Sequence, residues 1–299
     1  DGGRGPVRFG APRAFARAQA QGFGMVALPR SMVAVVFAEH MPHSGSGMLE
    51  TGAKYGSAIL ARVPAQDATV EILSKRRFAS GPVARISTAL LSTTSFLVAF
   101  RQAEDTAGGE KAEASCAVAQ LHGGELVFDP RALSLEPERG QIWARSLAPL
   151  GDGLAAYTYH SGAEQLTKQA LLQIHPETHQ LGVLRAPVVI GKGFTPYVGS
   201  ISTSASLPQH QTPEQLERHR GQGPRLLTYF SGAGSTKPRA RFCKVDGDGL
   251  PDNCKDMTWA DHEVSSVSGA PVGDGRLLVL FSDARQVPYY QLVGLMDSL

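Results

Sequence analysis

Short apolar runs, each ending in an aromatic residue and followed at once by polar or small residues, recur along the chain. They occupy residues 32–37, 96–100, 154–159, 226–230 and 277–281 and end at Phe37, Phe100, Tyr159, Phe230 and Phe281. Runs this short, rich in β-formers and apolar at successive positions, predict strands buried on both faces. Their aromatic ends lie roughly 50–70 residues apart, somewhat above the period of most propeller blades.

Around each run the pattern extends to four strands, A to D. The first repeat predicts strands at 23–28, 32–37, 57–63 and 69–73, and the second at 83–89, 96–100, 115–121 and 125–128. The third reads 142–147, 154–159, 169–174 and 181–185. His122-Gly123-Gly124 and Gly151-Asp152-Gly153 have the residues that tight hairpin turns require, and Gly273-Asp274-Gly275 reuses the second of these. Ser87, Ser146 and Ser268 keep one spacing to Phe100, Tyr159 and Phe281, so strand A and its turn hold a fixed length in three repeats. The fourth repeat starts at 197–202 and inserts 207–223 before its second strand. In that insert Thr212-Pro213-Glu214-Gln215 pairs an N-cap with proline at the first helical position, which predicts a short helix through Arg220.

The last repeat supplies strands at 264–268, 277–281 and 290–296 and no fourth, whereas residues 7–12 resemble a D strand without a blade. Pairing the two leaves no open edge at the seam. The expectation is therefore an all-β, five-bladed β-propeller, closed by an N-terminal strand that completes the C-terminal blade. It forms a single domain over 1–299, with blades near 23–73, 83–128, 142–185, 197–260 and 264–299 plus 7–11. A four-bladed ring or an open β-sandwich array is the alternative.

Ser-Thr-Thr-Ser-Phe-Leu-Val-Ala-Phe (92–100), then Cys116-Ala-Val-Ala-Gln-Leu, a turn, and Glu125-Leu-Val-Phe-Asp, resembles the propeller-type repeats of proteins abundant in dinoflagellate algae. The likeness spans almost the whole chain as strand pattern. It implies a propeller and, as a setting, a plastid thylakoid lumen, and it transfers no catalytic residue.

Composition narrows the classes. In 299 residues, 33 glycines and 19 prolines punctuate the chain too densely for long helices. Twenty-nine basic against 27 acidic side chains leave a net charge of +2, which gives no general field for nucleic acid or an anionic membrane. No apolar run approaches the roughly 18 residues of a spanning helix, so no transmembrane segment is expected. The chain opens on Asp1, which reads as a mature chain whose targeting segment has been removed, and hence as a lumenal or otherwise non-cytosolic protein. Cys243 and Cys254 flank one hairpin turn and are candidates for a disulfide; Cys116 lies in an apolar run.

Candidate chemistry is sparse. Two-carboxylate glycoside hydrolysis needs acids projecting from the inner strands. The predicted A strands carry none, offering serine and threonine hydroxyls with Arg85 and Arg145, a set suited to a small anion. No catalytic residue is therefore assigned. Asp246, Asp248 and Asp252 form an Asp-x-Asp-Gly-x-x-Asp loop similar to the calcium-binding repeats of thrombospondin type 3 domains, down to the following Cys254. Lys244 and Lys255 replace two anionic ligands of that pattern, and a plain Asp/Gly turn explains the same residues without metal. Calcium is thus the single candidate cofactor.

Two readings follow. The first is a non-enzymatic scaffold or extrinsic subunit of a larger, membrane-associated assembly, such as a photosynthetic one, binding other protein subunits through its long loops. Its contact candidates are His40, His43, Glu214, Arg218 and Arg220. The second is a carbohydrate-binding or glycoside-processing propeller using loop acids such as Glu39, Asp105 or Asp283.

Overall fold

A computed structural model describes residues 20–40, 54–63, 70–103, 112–129, 133–134, 142–162, 164–175, 178, 180–193, 198–203, 225–231, 238–246, 248, 250–258, 264–273, 276–283 and 287–294. All its regular elements there are strands, except for a single 3-10 residue at Thr203.

Five antiparallel sheets follow one another along the chain, and each is wound from its inner strand outward. The first is β1 (Ala20–Leu28), β2 (Met32–His40), β3 (Lys54–Arg62) and β4 (Glu71–Leu90). The second reuses β4 and adds β5 (Ser95–Ala103), β6 (Ala112–His122), β7 (Glu125–Phe128) and β8 (Leu133–Ser134), the last two sharing β6. The third is β9 (Ile142–Gly151), β10 (Leu154–Ser161), β11 (Leu166–Ile174) and β12 (Leu181–Lys192). The fourth is β13 (Val198–Ser202), β14 (Arg225–Ser231), β15 (Pro238–Val245) and β16 (Pro251–Thr258), and the fifth is β17 (Val264–Gly273), β18 (Arg276–Asp283) and β19 (Pro288–Gly294). Serial four-stranded sheets of this kind are the construction of propeller blades.

The recurring apolar runs form the second strand of each sheet, as their two-sided hydrophobicity requires. Residues 96–100 of β5 and 155–160 of β10 are buried without a break. Four seams between sheets carry the core, the one between the third and fourth sheets built from Leu150, Ala156, Leu171, Leu226 and Val245. Val36, Leu60, Phe96, Phe100 and Ala119 lie between the first two sheets, and Leu97, Cys116, Leu147, Tyr157 and Leu172 between the next two. Ile201, Leu227, Tyr229, Leu277 and Val279 join the fourth to the fifth. Inner strands pack in succession, β1 on β4, β4 on β9, β9 on β13 and β13 on β17, while no comparable packing joins β17 to β1 among the described residues. At those two ends apolar side chains are left exposed: Phe23 and Met25 on β1, Leu280 on β18, Tyr290 and Leu292 on β19.

Three expectations are corrected. The strands predicted at 69–73 and 83–89 are one continuous strand, β4, because Pro82 still pairs with Tyr55 of β3 before Val83 takes up Gln102 of β5. Glu39 and His40 belong to β2 and not to a loop, since pairing with β3 continues past Phe37 through Glu39 with Tyr55 and His40 with Lys54. The third strand of the last sheet starts earlier than 290, at Pro288 opposite Ser282. Residues 7–11 and the predicted helix in 207–223 lie outside the described residues.

A disulfide joins Cys243 to Cys254, as the hairpin spacing suggests. Asn253, at φ 47°, forms an irregularity between β15 and β16 that brings Cys254 opposite Cys243. Closing so short a loop contributes about 2–3 kcal/mol. Thiol labelling under denaturing, non-reducing conditions should modify Cys116 alone; three labelled cysteines would refute the bond.

Candidate functional site

Strands β4, β5 and β9 gather guanidinium groups at one corner, between the second and third blades. Arg145 of β9 alternates with Leu147, which faces the second blade, and Arg101 of β5 alternates with Leu97 and Ala99, which face the third. Two-residue periodicity therefore turns both arginines into the same seam. Arg85 lies on β4 in the irregular stretch between Ala84, the partner of Arg101, and Ser87. Its φ of 55° is a conformation that a long side chain adopts at a cost, and such residues cluster at functional positions.

Exposure falls off across the three arginines. Arg85 is exposed, Arg101 half-buried, and Arg145 only 8% exposed. Burial lowers the Arg145 pKa; Tyr157 and Cys116 oppose that, and the positive charges of Arg101 and Arg85 add smaller downward effects, so the net shift is downward. Burial also pushes the Cys116 thiol up to about 12, so it is neutral at physiological pH. The corner is a concentration of positive charge in a chain whose net charge is only +2.

The serines of equal spacing do different work from that expected of funnel hydroxyls. Ser87 Oγ accepts the amide N–H of Leu147 at 3.0 Å, and Ser146 Oγ accepts that of Ser200 at 2.8 Å, so each clasps the inner strand of the next blade. Between the third and fourth blades the contact grows into a buried network. Gln169 Nε2 donates to Thr158 Oγ1 at 2.9 Å and to Thr228 Oγ1 at 3.2 Å, while Ser200 Oγ donates to Thr158 Oγ1 at 2.9 Å. Spacing alone displayed these serines; their partners come from the neighbouring blade, which no local pattern encodes.

The other candidates separate. Glu39 Oε1 accepts from Lys75 Nζ at 2.6 Å and Oε2 from Ser57 Oγ at 3.0 Å. Burial alone would raise its pKa, but these hydrogen bonds and the charges of Lys75 and Arg77 outweigh that, and the net shift is downward. A carboxylate held ionised in this way is a poor proton donor and serves to tie β2 to β3 and β4. Asp246 Oδ1 accepts the amide N–H groups of Asp248 at 3.0 Å and Leu250 at 2.8 Å, and Asn253 Nδ2 donates to Asp252 Oδ2 at 2.9 Å. These bonds knit a turn, and among the described residues no group of three or more His, Cys, Asp or Glu is arranged to hold a metal. Asp283 closes β18. His43, Asp105, Glu214, Arg218 and Arg220 lie outside the described residues.

No known sequence family and no curated protein matches the chain. Solved structures do. The K499G mutant of NanB sialidase from Streptococcus pneumoniae aligns over 93% of this chain and 56% of its own, with 9% identity and a TM-score of 0.57. This chain thus spans little more than half of that protein. A fungal lectin from Aleuria aurantia, described as a six-bladed β-propeller, aligns over 90% of this chain and 73% of its own at 9% identity and a TM-score of 0.47. A glycosidase structure from Bacteroides thetaiotaomicron aligns over 94% and 88%, with 8% identity and a TM-score of 0.43. At such identities the likeness concerns the fold, a β-propeller, and nothing finer.

Proposed function

We propose that the chain is a carbohydrate-binding β-propeller that takes an acidic ligand and performs no hydrolysis. The observation that carries this is the guanidinium corner of Arg85, Arg101 and Arg145, set on stretches 83–90, 95–103 and 142–151 that bear no carboxylate. Guanidinium groups bind carboxylates through paired, charge-assisted hydrogen bonds, whereas ordinary glycoside hydrolysis needs two acids flanking the bond. Sharing a fold with a sialidase and a lectin accords with this ligand class; the arginines are what argue for it. The Cys243–Cys254 bond supports an oxidising, non-cytosolic compartment.

Calorimetric titration of an oligosaccharide bearing uronic acid, beside its neutral counterpart, tests the reading. The acidic sugar should bind and the neutral one should not. Arg85→Ala should weaken binding roughly tenfold, as expected when one charge-assisted hydrogen bond is lost. Equal affinity for both sugars refutes the acidic ligand, and turnover of glycosides abolished by substituting an acid such as Asp105 refutes the non-catalytic role. If no glycan binds while the protein travels with a membrane complex on native purification, the scaffold reading replaces it.

We further propose that the five sheets close into one ring, with residues 7–11 completing the fifth blade. Support comes from the exposed apolar positions on the end sheets, Phe23 and Met25 on one side and Leu280, Tyr290 and Leu292 on the other, which are the surfaces a closed ring would cover. Deleting residues 1–15 should lower the melting midpoint by several degrees and reduce solubility. An unchanged midpoint with unchanged solubility would eliminate this closure.

A further inference from the structure

We propose that the seam between the second and third blades holds one small inorganic anion, a halide such as chloride, against the buried guanidinium of Arg145. All three guanidinium nitrogens of Arg145 are buried, and none has a hydrogen-bond partner. An arginine stays protonated inside a protein, and an isolated buried charge is among the most expensive features a fold can carry. Something must compensate it. Among the described residues its charged neighbours are Arg101 and Arg85, which carry its own sign, and its other close groups are the buried Tyr157 and Cys116.

The chemistry of that surrounding selects the occupant. The Arg145 N–H groups are donors without an acceptor, and among the described residues the groups beside them bring no carboxylate. A cation is excluded by the three like charges. A neutral water would satisfy hydrogen bonds and leave the charge uncompensated. A monatomic anion does both, and it suits a site enclosed by packed side chains such as Leu147 and Tyr159. The inference concerns the buried end of the corner and stands whether or not a glycan binds at Arg85.

The experiment follows the melting of the full chain in sodium chloride against sodium gluconate, at equal ionic strength and pH, gluconate being too bulky for the seam. The wild-type midpoint should climb with the logarithm of chloride concentration as one-site linkage requires, and Arg145→Met should abolish that dependence. Parallel slopes in the two proteins would reduce the effect to a general salt response and overturn the proposal. A flat wild-type response would overturn it too, by showing that the chain itself supplies the counter-charge. Should Arg145→Met fail to fold, wild-type crystals soaked in bromide decide the matter. An anomalous peak within hydrogen-bond reach of the Arg145 nitrogens supports the site, and its absence removes it.

Discussion

Placing a methyl group on Gly269 should destabilise the protein by about 1–3 kcal/mol, and Gly269→Val should cost more. Gly269 lies on β17 opposite Val279, where the fifth blade's inner strand comes against that of the fourth. A Cβ built there would stand 2.1 Å from Cδ1 of Ile201 and 2.8 Å from the backbone carbonyl oxygen of Leu278. The two conflicts differ in kind. Ile201 can be shortened, whereas the Leu278 carbonyl is fixed within the sheet. Ile201→Val alone should cost about 0.5–1.5 kcal/mol, but in the Gly269→Ala background it removes the offending methyl and should recover part of the loss. Urea denaturation of the four proteins gives the coupling energy. If Gly269→Ala is silent, the fourth and fifth blades do not pack Ile201 against Gly269; if the double mutant shows no coupling, the backbone conflict alone accounts for the loss.

Only parts of this fold can be read along one dimension. The second strands are legible because burial on both faces demands an unbroken apolar run, and such a run as Phe96–Phe100 has no other use in a soluble sheet. Turns are legible because a two-residue hairpin restricts residue type: Gly123 and Gly124 both take positive φ, at 58° and 87°, between the paired His122 and Glu125. Strand ends were harder. Glu39 is charged and sequence alone suggests a loop, yet it stays in β2 because Lys75 from β4 and Ser57 from β3 supply its partners. Likewise Gly81-Pro82 reads as a break, and the chain instead continues through it, passing from β3 to β5 as one strand.

The candidate site was visible only as residue types. Arg85 and Arg145 announce themselves on the predicted strands 83–89 and 142–147, which are otherwise free of charge, but Arg101 follows a central apolar run and reads as an ordinary charged strand end. Its inclusion depends on blade-to-blade packing, which turns the Leu97–Ala99–Arg101 face toward β9 and β10. A seam of this kind brings together residues some 40–60 positions apart, as repeat architectures do with each neighbouring unit.

Ser146→Ala is the second substitution with a large expected effect, because it removes an acceptor that a neighbouring blade cannot replace. The amide N–H of Ser200 points away from its ladder partner and finds Ser146 Oγ at 2.8 Å, at a position only 8% exposed. Loss of the hydroxyl leaves that N–H without an acceptor, and a buried unsatisfied donor costs about 1–3 kcal/mol. Ser87→Ala should act in the same way on the amide of Leu147, itself 5% exposed, one seam earlier. Because each serine clasps the following blade, the damage should be directional: Ser146→Ala should speed hydrogen exchange at Ser200 and its neighbours on β13 more than at the apolar strand β5. Urea midpoints give the stability loss at an unchanged m-value, and amide exchange gives the direction. A loss below about 0.5 kcal/mol for both variants, with exchange at Leu147 and Ser200 unaltered, would place these serines among ordinary surface positions and leave the seams to apolar packing alone.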